Sequence, residues 1–288
     1  MASLVRSTAV TLEMIKWEHS IFALPFALTG AMLAADGWPE PRDLGWIVVC
    51  MVSARSAAMA FNRLVDAELD RANPRTANRA LPAGALSMKF VVGFIVVASL
   101  IFLGAAAMLN RLTLELAPVA LAVVLAYSYM KRITRWSHLV LGLALGIAPS
   151  AAWIAVRGTF DPRIAVLTLV VILWVGGFDV LYACQDFEHD RAAGLHSVPQ
   201  AFGLEGAFWL ARAMHLLTVA LTIWLALLFH LGAEAGFGIG VVTLLLAYEH
   251  SIISPRDLRR MNAAFFTLNG VISVVFFLSV AADVLIHR

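Results

Sequence analysis

Apolar residues in this chain come in long runs separated by short polar connections. The runs fall at roughly 20–36, 44–66, 90–109, 114–130, 137–156, 164–184, 206–230, 234–252 and 263–284. A helix rises about 1.5 Å per residue and needs roughly 20 apolar residues to cross about 30 Å of hydrocarbon. The pattern therefore predicts nine transmembrane helices. In lipid, backbone polar groups must be satisfied within each segment, so the predicted fold is all-α. Ahead of the first run, residues 8–19 mix Thr11, Glu13, Lys16 and Glu18 with Leu12, Met14, Ile15 and Trp17. That mixture predicts a short amphipathic helix lying at the interface. We expect residues 1–19 to form this N-terminal segment and residues 20–286 a single transmembrane domain, arranged as two four-helix repeats plus a ninth helix.

Composition agrees with the pattern. The chain is 61% hydrophobic and only 14% charged, with a mean hydropathy of +0.85, the profile of an integral membrane protein. Its net charge of +2 carries little information, but the placement of the charges carries more. With the N-terminus inside, the inner segments hold 14 Lys and Arg residues and the outer ones 5. The positive-inside rule then predicts a multi-pass protein of the cytoplasmic (inner) membrane with its N-terminus in the cytoplasm. Trp17 and Trp136 on one side, and Trp38, Trp46 and Trp153 toward the other, fit interfacial belts. Cys50 and Cys184 lie 134 residues apart in apolar runs, which indicates neither a disulfide framework nor a zinc site. No cleavable signal pattern precedes Ile21, and nothing predicts a nucleic-acid partner.

Against this background the acidic residues stand out. Asn62, Asp66 and Asp70 are spaced by four at the end of the second run, so a continuing helix projects all three from one face. Asp186 and Asp190 repeat the spacing 120 residues later, with Asp179 and Tyr182 on the same face. A charge near the middle of a membrane helix costs about 2.5–3.5 kcal/mol on insertion scales, so intramembrane acidic stripes point to function. Carboxylate oxygens are natural Mg2+ ligands, and Arg75 and Arg79 follow on a turn opened by Asn73-Pro74, where the helix should end. Arginine forks match phosphate. Two acidic helix ends beside a basic loop thus predict one bimetal site for a polyanion held by Mg2+.

The pattern Asn62-x3-Asp66-x3-Asp70, a basic loop, and Asp186-x3-Asp190 resembles the UbiA superfamily of intramembrane prenyltransferases. So does the Tyr127–Arg132 segment, YSYMKR. Residues 17–33, 73–84 and 261–277 are similar to the 4-hydroxybenzoate polyprenyltransferase-like branch, which includes menaquinone enzymes of the futalosine pathway. Arg63 departs from the pattern, standing where many members carry a second acidic residue. The resemblance implies Mg2+, a polyprenyl diphosphate donor and an aromatic acid acceptor in quinone biosynthesis. Haem farnesylation, chlorophyll or tocopherol prenylation and lipid prenylation are alternatives within the superfamily. A cation-coupled transporter is the rival of another class, but its acids would tend toward the midplane.

Individual residues then take expected roles. Asn62, Asp66, Asp70, Asp186 and Asp190 would hold metal, and Arg75, Arg79, Lys131 and Arg132 would meet the diphosphate. Lys131 and Arg132 also fit plain positive-inside anchors. Arg55, seven residues before Asn62, would bind an acceptor carboxylate or pair with a motif aspartate. Asp179 would orient the metal site or accept a proton from the acceptor ring, and Tyr182 would contact substrate or pack in the core. Glu188 and His189 are expected to face solvent. His19, His138 and His196 are expected to be ordinary interfacial histidines, and Asn269 to make an interhelical hydrogen bond.

Overall fold

The computed structural model describes residues 10–15 and 22–287. Its helices are α1 (Leu24–Ala35), α2 (Pro41–Val65), α3 (Ala67–Ala72), α4 (Met88–Ala107), α5 (Arg111–Ala126) and α6 (Met130–Ile133). They continue with α7 (Ser137–Arg157), α8 (Ile164–Ala183), α9 (Phe187–Ala192), α10 (Val198–Leu228), α11 (Ala233–Ile252) and α12 (Asn269–His287). No strand occurs among the described residues, and the all-α expectation holds. Eight helices among them are long and apolar enough to cross a membrane. The first expected span is a shorter apolar helix of 12 residues, opened by Pro25 and closed by Asp36 in the left-handed region at φ 58°. Residues 10–15 are helical, whereas Lys16 to Ile21, with His19, lie outside the described residues.

Helix ends follow the local chemistry. Pro41 stands in the first turn of α2 after the extended Glu40, a position where its missing N–H costs nothing. Ser87 Oγ accepts from Phe90 N at the start of α4. Asn110 works at two ends: its Oδ1 accepts from Thr113 N to cap α5, and its Nδ2 donates to Ile154 O and Ala155 O at the end of α7. Asp283, buried in α12, accepts from Gly232 N and Ala235 N and so caps α11. The seventh expected span, 206–230, begins earlier than its apolar run. Ser197 caps a helix opened by Pro199, and Gly203 at φ 72° kinks it before it runs on as α10.

Packing centres on α8, which lies between α7 and α10 with most of one turn after another buried. An aromatic column crosses this core. Phe26 meets Trp174 at 5.0 Å between centroids, Trp174 meets Phe178 at 5.0 Å, Phe178 meets Phe265 at 5.1 Å, and Phe265 lies 4.1 Å from Tyr182. Phe265 is delivered by a π-helical turn, Ala263–Leu268, before α12. Asn269 supports that turn, donating to Ala264 O and to Glu249 Oε1 of α11, the interhelical hydrogen bond expected of it.

Candidate active site

The two acidic motifs end α2 and α8 alike. Asp66 closes α2 at φ −92°, ψ 6°, and Asp186 follows α8 at φ −99°, ψ 9°; each precedes a six-residue helix. This sparsely populated backbone region often holds active-site residues. The helical course persists through the first corner, with Asp66 N donating to Asn62 O and Asp70 N to Asp66 O. Residues four apart therefore stay on one side, as the spacing predicts. Asn62, Asp66 and Asp70 from one motif, and Asp179, Tyr182, Asp186 and Asp190 from the other, line one polar cavity of about 180 Å³.

Pro74 ends α3 as expected, and the loop after it folds back across the cavity. Asn73 Oδ1 accepts from Arg75 N, and Thr76 Oγ1 donates to Asp70 O. The loop arginines meet the aspartates. Arg75 grips Asp186 bidentately, Nη2 to Oδ2 at 2.6 Å and Nε to Oδ1 at 2.9 Å, and lies over the Tyr182 ring at 5.7 Å. Arg79 Nη1 donates to Asp70 Oδ1 at 2.6 Å. From the 130–133 turn, Arg132 Nη2 donates to Asp66 Oδ1 at 2.9 Å and to Val65 O at 3.0 Å, while Lys131 borders the same cavity. Burial pushes the Asp66 carboxyl above its usual range although Arg132 pulls it down. At Arg75 burial works against the charge, and the hydrogen bond and charge of Asp186 outweigh it.

Two carboxylate oxygens escape this pairing. Asp70 Oδ2 and Asp190 Oδ2 are buried and accept no hydrogen bond from the described residues. Buried acceptors are ordinarily satisfied. One aspartate with such an oxygen from each motif, lining a cavity walled by further carboxylates and by Asn62, gives a donor set that fits a hard divalent cation.

A larger cavity of about 920 Å³ adjoins the polar one, sharing Asn62, Arg75, Arg79, Asp179 and Tyr182 as walls. Its apolar side carries Phe22, Phe178, Phe265 and Phe266. Arg55 lines this cavity and a third, almost wholly apolar one of about 240 Å³. Tyr127 and Leu141 border all three.

Other residues depart from expectation. His138 is not an ordinary interfacial histidine: it is 1% exposed, and its Nδ1 lies 2.7 Å from Asp179 Oδ2. His196 is exposed and uses its backbone N–H on Lys131 O. Glu188 faces solvent as expected, whereas His189 borders the polar cavity. Tyr182 packs on Phe265, one of the two roles weighed for it, and also lines both cavities. The sequence reading missed Asn73, which donates to Asp186 Oδ1, and Phe265, whose position depends on the π-turn.

Comparison with known proteins agrees with this geometry. The family model described as UbiA prenyltransferase family matches residues 23–278. A 4-hydroxybenzoate octaprenyltransferase of Vibrio cholerae serotype O1 is 33% identical over 256 residues, 88% of each chain. A UbiA homolog from Aeropyrum pernix K1, solved in the apo state, superposes with a TM-score of 0.85 at 33% identity, covering 93% of this chain and 98% of that one. A UbiA homolog from Archaeoglobus fulgidus bound to DMAPP and Mg2+ has a TM-score of 0.76 over 95% of this chain and 98% of its own, a likeness of fold at 19% identity. With the family model spanning nearly the whole chain and both acidic motifs meeting in one cavity, the protein belongs to the UbiA prenyltransferase family and is a membrane-embedded prenyltransferase.

Proposed function

We propose that the protein transfers a polyprenyl group from a polyprenyl diphosphate to an aromatic acid, 4-hydroxybenzoate or a dihydroxynaphthoate, in quinone biosynthesis, with Mg2+ as cofactor. The observation that carries this reading is that Asp70 and Asp190, each with one buried oxygen that no described donor satisfies, line a shared polar cavity beside an aromatic-walled one. The name of the Vibrio cholerae relative supports the choice of acceptor class.

Asn62, Asp66, Asp70, Asp186 and Asp190 would hold the metal. Bound there, Mg2+ supplies positive charge that neutralises the leaving diphosphate. Arg75, Arg79, Lys131 and Arg132 would bind diphosphate oxygens, with the arginine forks exchanging their present aspartate partners for phosphate. The polyprenyl tail needs an apolar, water-poor space, and the allylic carbon needs aromatic faces as positive charge develops on it. Phe178, Phe265 and Tyr182 offer such faces beside the polar cavity. Arg55 would receive the acceptor carboxylate, and Tyr182 would contact the acceptor. Asp179, open to both cavities, would take the proton released from the acceptor ring. The surplus of Lys and Arg beside both motifs supports a site on the cytoplasmic side of the inner membrane.

The test uses membranes containing the protein, Mg2+, a long prenyl diphosphate and a panel of aromatic acids with their methyl esters, with products identified by mass spectrometry. A prenylated hydroxybenzoate or naphthoate is expected, with Arg55→Leu impairing the acid far more than its ester. Prenylation of haem or of a lipid alone would refute the acceptor class.

A further inference from the structure

A tight contact between α7 and α8 aims one side chain that the acidic motifs do not account for. On α7, His138, Gly142, Gly146 and Ser150 recur every four residues and form one stripe. The stripe lies against α8. A Cβ on Gly142 would collide with the backbone of Ile172, and one on Gly146 would come within 2.9 Å of Thr168 O, so only glycine permits the approach. Ser150 and Thr168 share a hydrogen bond of 2.7 Å farther along. At the near end, a Cβ on Gly176 would stand 3.6 Å from His138 O, an ordinary contact, and only 2.5 Å from the Met214 side chain of α10. The same stripe that zips the two helices thus delivers His138, fully buried, to Asp179.

The hydrogen bonds define the state of the ring. Val198 N, at the start of α10, donates to His138 Nε2 at 3.3 Å, so Nε2 carries the lone pair. The imidazole proton is therefore on Nδ1, which donates to Asp179 Oδ2 at 2.7 Å. Asp179 is then held by one oxygen while its side chain remains 19% exposed into the cavities. A carboxylate fixed this way needs no further ordering when it meets substrate.

We propose that His138 is a positioning residue for proton removal: as the Nδ1–H tautomer it fixes Asp179 so that Asp179 Oδ1 receives the proton displaced from the acceptor ring. This rests on the role given above to Asp179. In that step the C1–O bond of the prenyl diphosphate breaks and its electron pair leaves on the diphosphate. A ring carbon bonds to C1, and the displaced ring proton passes to the Asp179 carboxylate.

His138→Asn and His138→Gln test the assignment, because the asparagine amide overlays Nδ1 whereas the glutamine amide overlays Nε2. With geranyl diphosphate, Mg2+ and 4-hydroxybenzoate, His138→Asn should keep kcat within about threefold, and His138→Gln should lose about tenfold or more, a typical cost of small misplacement. The donor KM should stay within about twofold in both. Equal losses in the two variants, or a shifted donor KM, would reduce His138 to a packing residue. Nitrogen-15 NMR of histidine-labelled protein in detergent reads the ring directly. An Nδ1–H ring whose resonances move in Asp179→Asn upholds the proposal, and an Nε2–H ring overturns it whatever the acceptor. Full activity in Asp179→Asn would instead defeat the reading of Asp179 itself. An inactive Asp179→Asn beside an undiminished His138→Gln would defeat the His138 assignment alone.

Discussion

Asp70 and Asp190 are the two motif aspartates left with an oxygen that no described residue satisfies. Each is buried, and each keeps one carboxylate oxygen without a donor among the described residues. Replacing either by Asn keeps the size and removes the charge. Turnover should fall by about a hundredfold or more, the scale on which loss of a preorganised electrostatic group acts, while folded yield in detergent is retained. Chelation of divalent metal should reproduce the loss in the wild-type protein, and adding Mg2+ should restore it. Near-normal turnover in both variants would remove the metal reading. Arg75 tests the other half of the site. A charge-assisted hydrogen bond is worth about 1.5–3 kcal/mol, so Arg75→Ala should raise the KM for the prenyl diphosphate roughly tenfold or more and leave that for the acceptor within about twofold. The reverse split would assign the loop to the aromatic acid. The aspartates were legible in the sequence because a spacing of four on a helix is a statement about direction. The pairings Arg75–Asp186 and Arg132–Asp66 were not, because they join a loop and a turn to helix ends far away in sequence, and Arg79–Asp70 depends on how the loop between them folds back.

Helices were legible to the extent that their ends were marked by composition. The expected span at 137–156 matches α7 closely, since Gly158 at φ 68° ends it where an apolar run also ends. The start of α10 was misplaced by eight residues. Pro199 and Gly203 precede the apolar run, yet Ser197 is a cap and Pro199 stands in the first turn, the signature of a helix start. The π-turn at Ala263–Leu268 leaves no such mark, because it depends on Asn269 and Glu249 meeting across two helices. The α7–α8 seam was written in the sequence as glycines four apart, a small-residue stripe of the kind that lets membrane helices approach. The seam predicts a graded result. Gly142→Ala places a methyl against the Ile172 backbone, and overpacking of this kind costs about 1–3 kcal/mol. Its thermal midpoint in detergent should drop, and activity should drop with it through the displaced His138–Asp179 pair. Gly104→Ala on α4, where a Cβ meets nothing within 4 Å, should change neither. Equal behaviour of the two variants would show that the seam is looser than the structure has it.

The whole molecule places its chemistry at one end of the helices. Both acidic motifs, the Arg75–Arg79 loop and the Lys131–Arg132 turn share one polar cavity, while Asn110, Asp283 and Arg42 bind together the opposite ends of α2, α4, α5, α7 and α11. A tail-bearing substrate has a physical reason to react at such a boundary. Its diphosphate can stay near water and counter-charge while its hydrocarbon remains among apolar walls. The proposal that this end faces the cytoplasm rests on the 14 to 5 distribution of Lys and Arg, since basic loops tend to be retained there. The expectation is open to direct measurement. With Cys50 and Cys184 replaced by Ala, single cysteines can be placed at Arg256, in the connection between α11 and α12, and at Arg157, at the far end of α7. A membrane-impermeant maleimide should label Arg256→Cys in inverted vesicles and not in intact spheroplasts, and Arg157→Cys in spheroplasts only. The reverse labelling would turn the molecule over and put the acidic site outside. It would therefore overturn the proposed cytoplasmic site as well as the orientation.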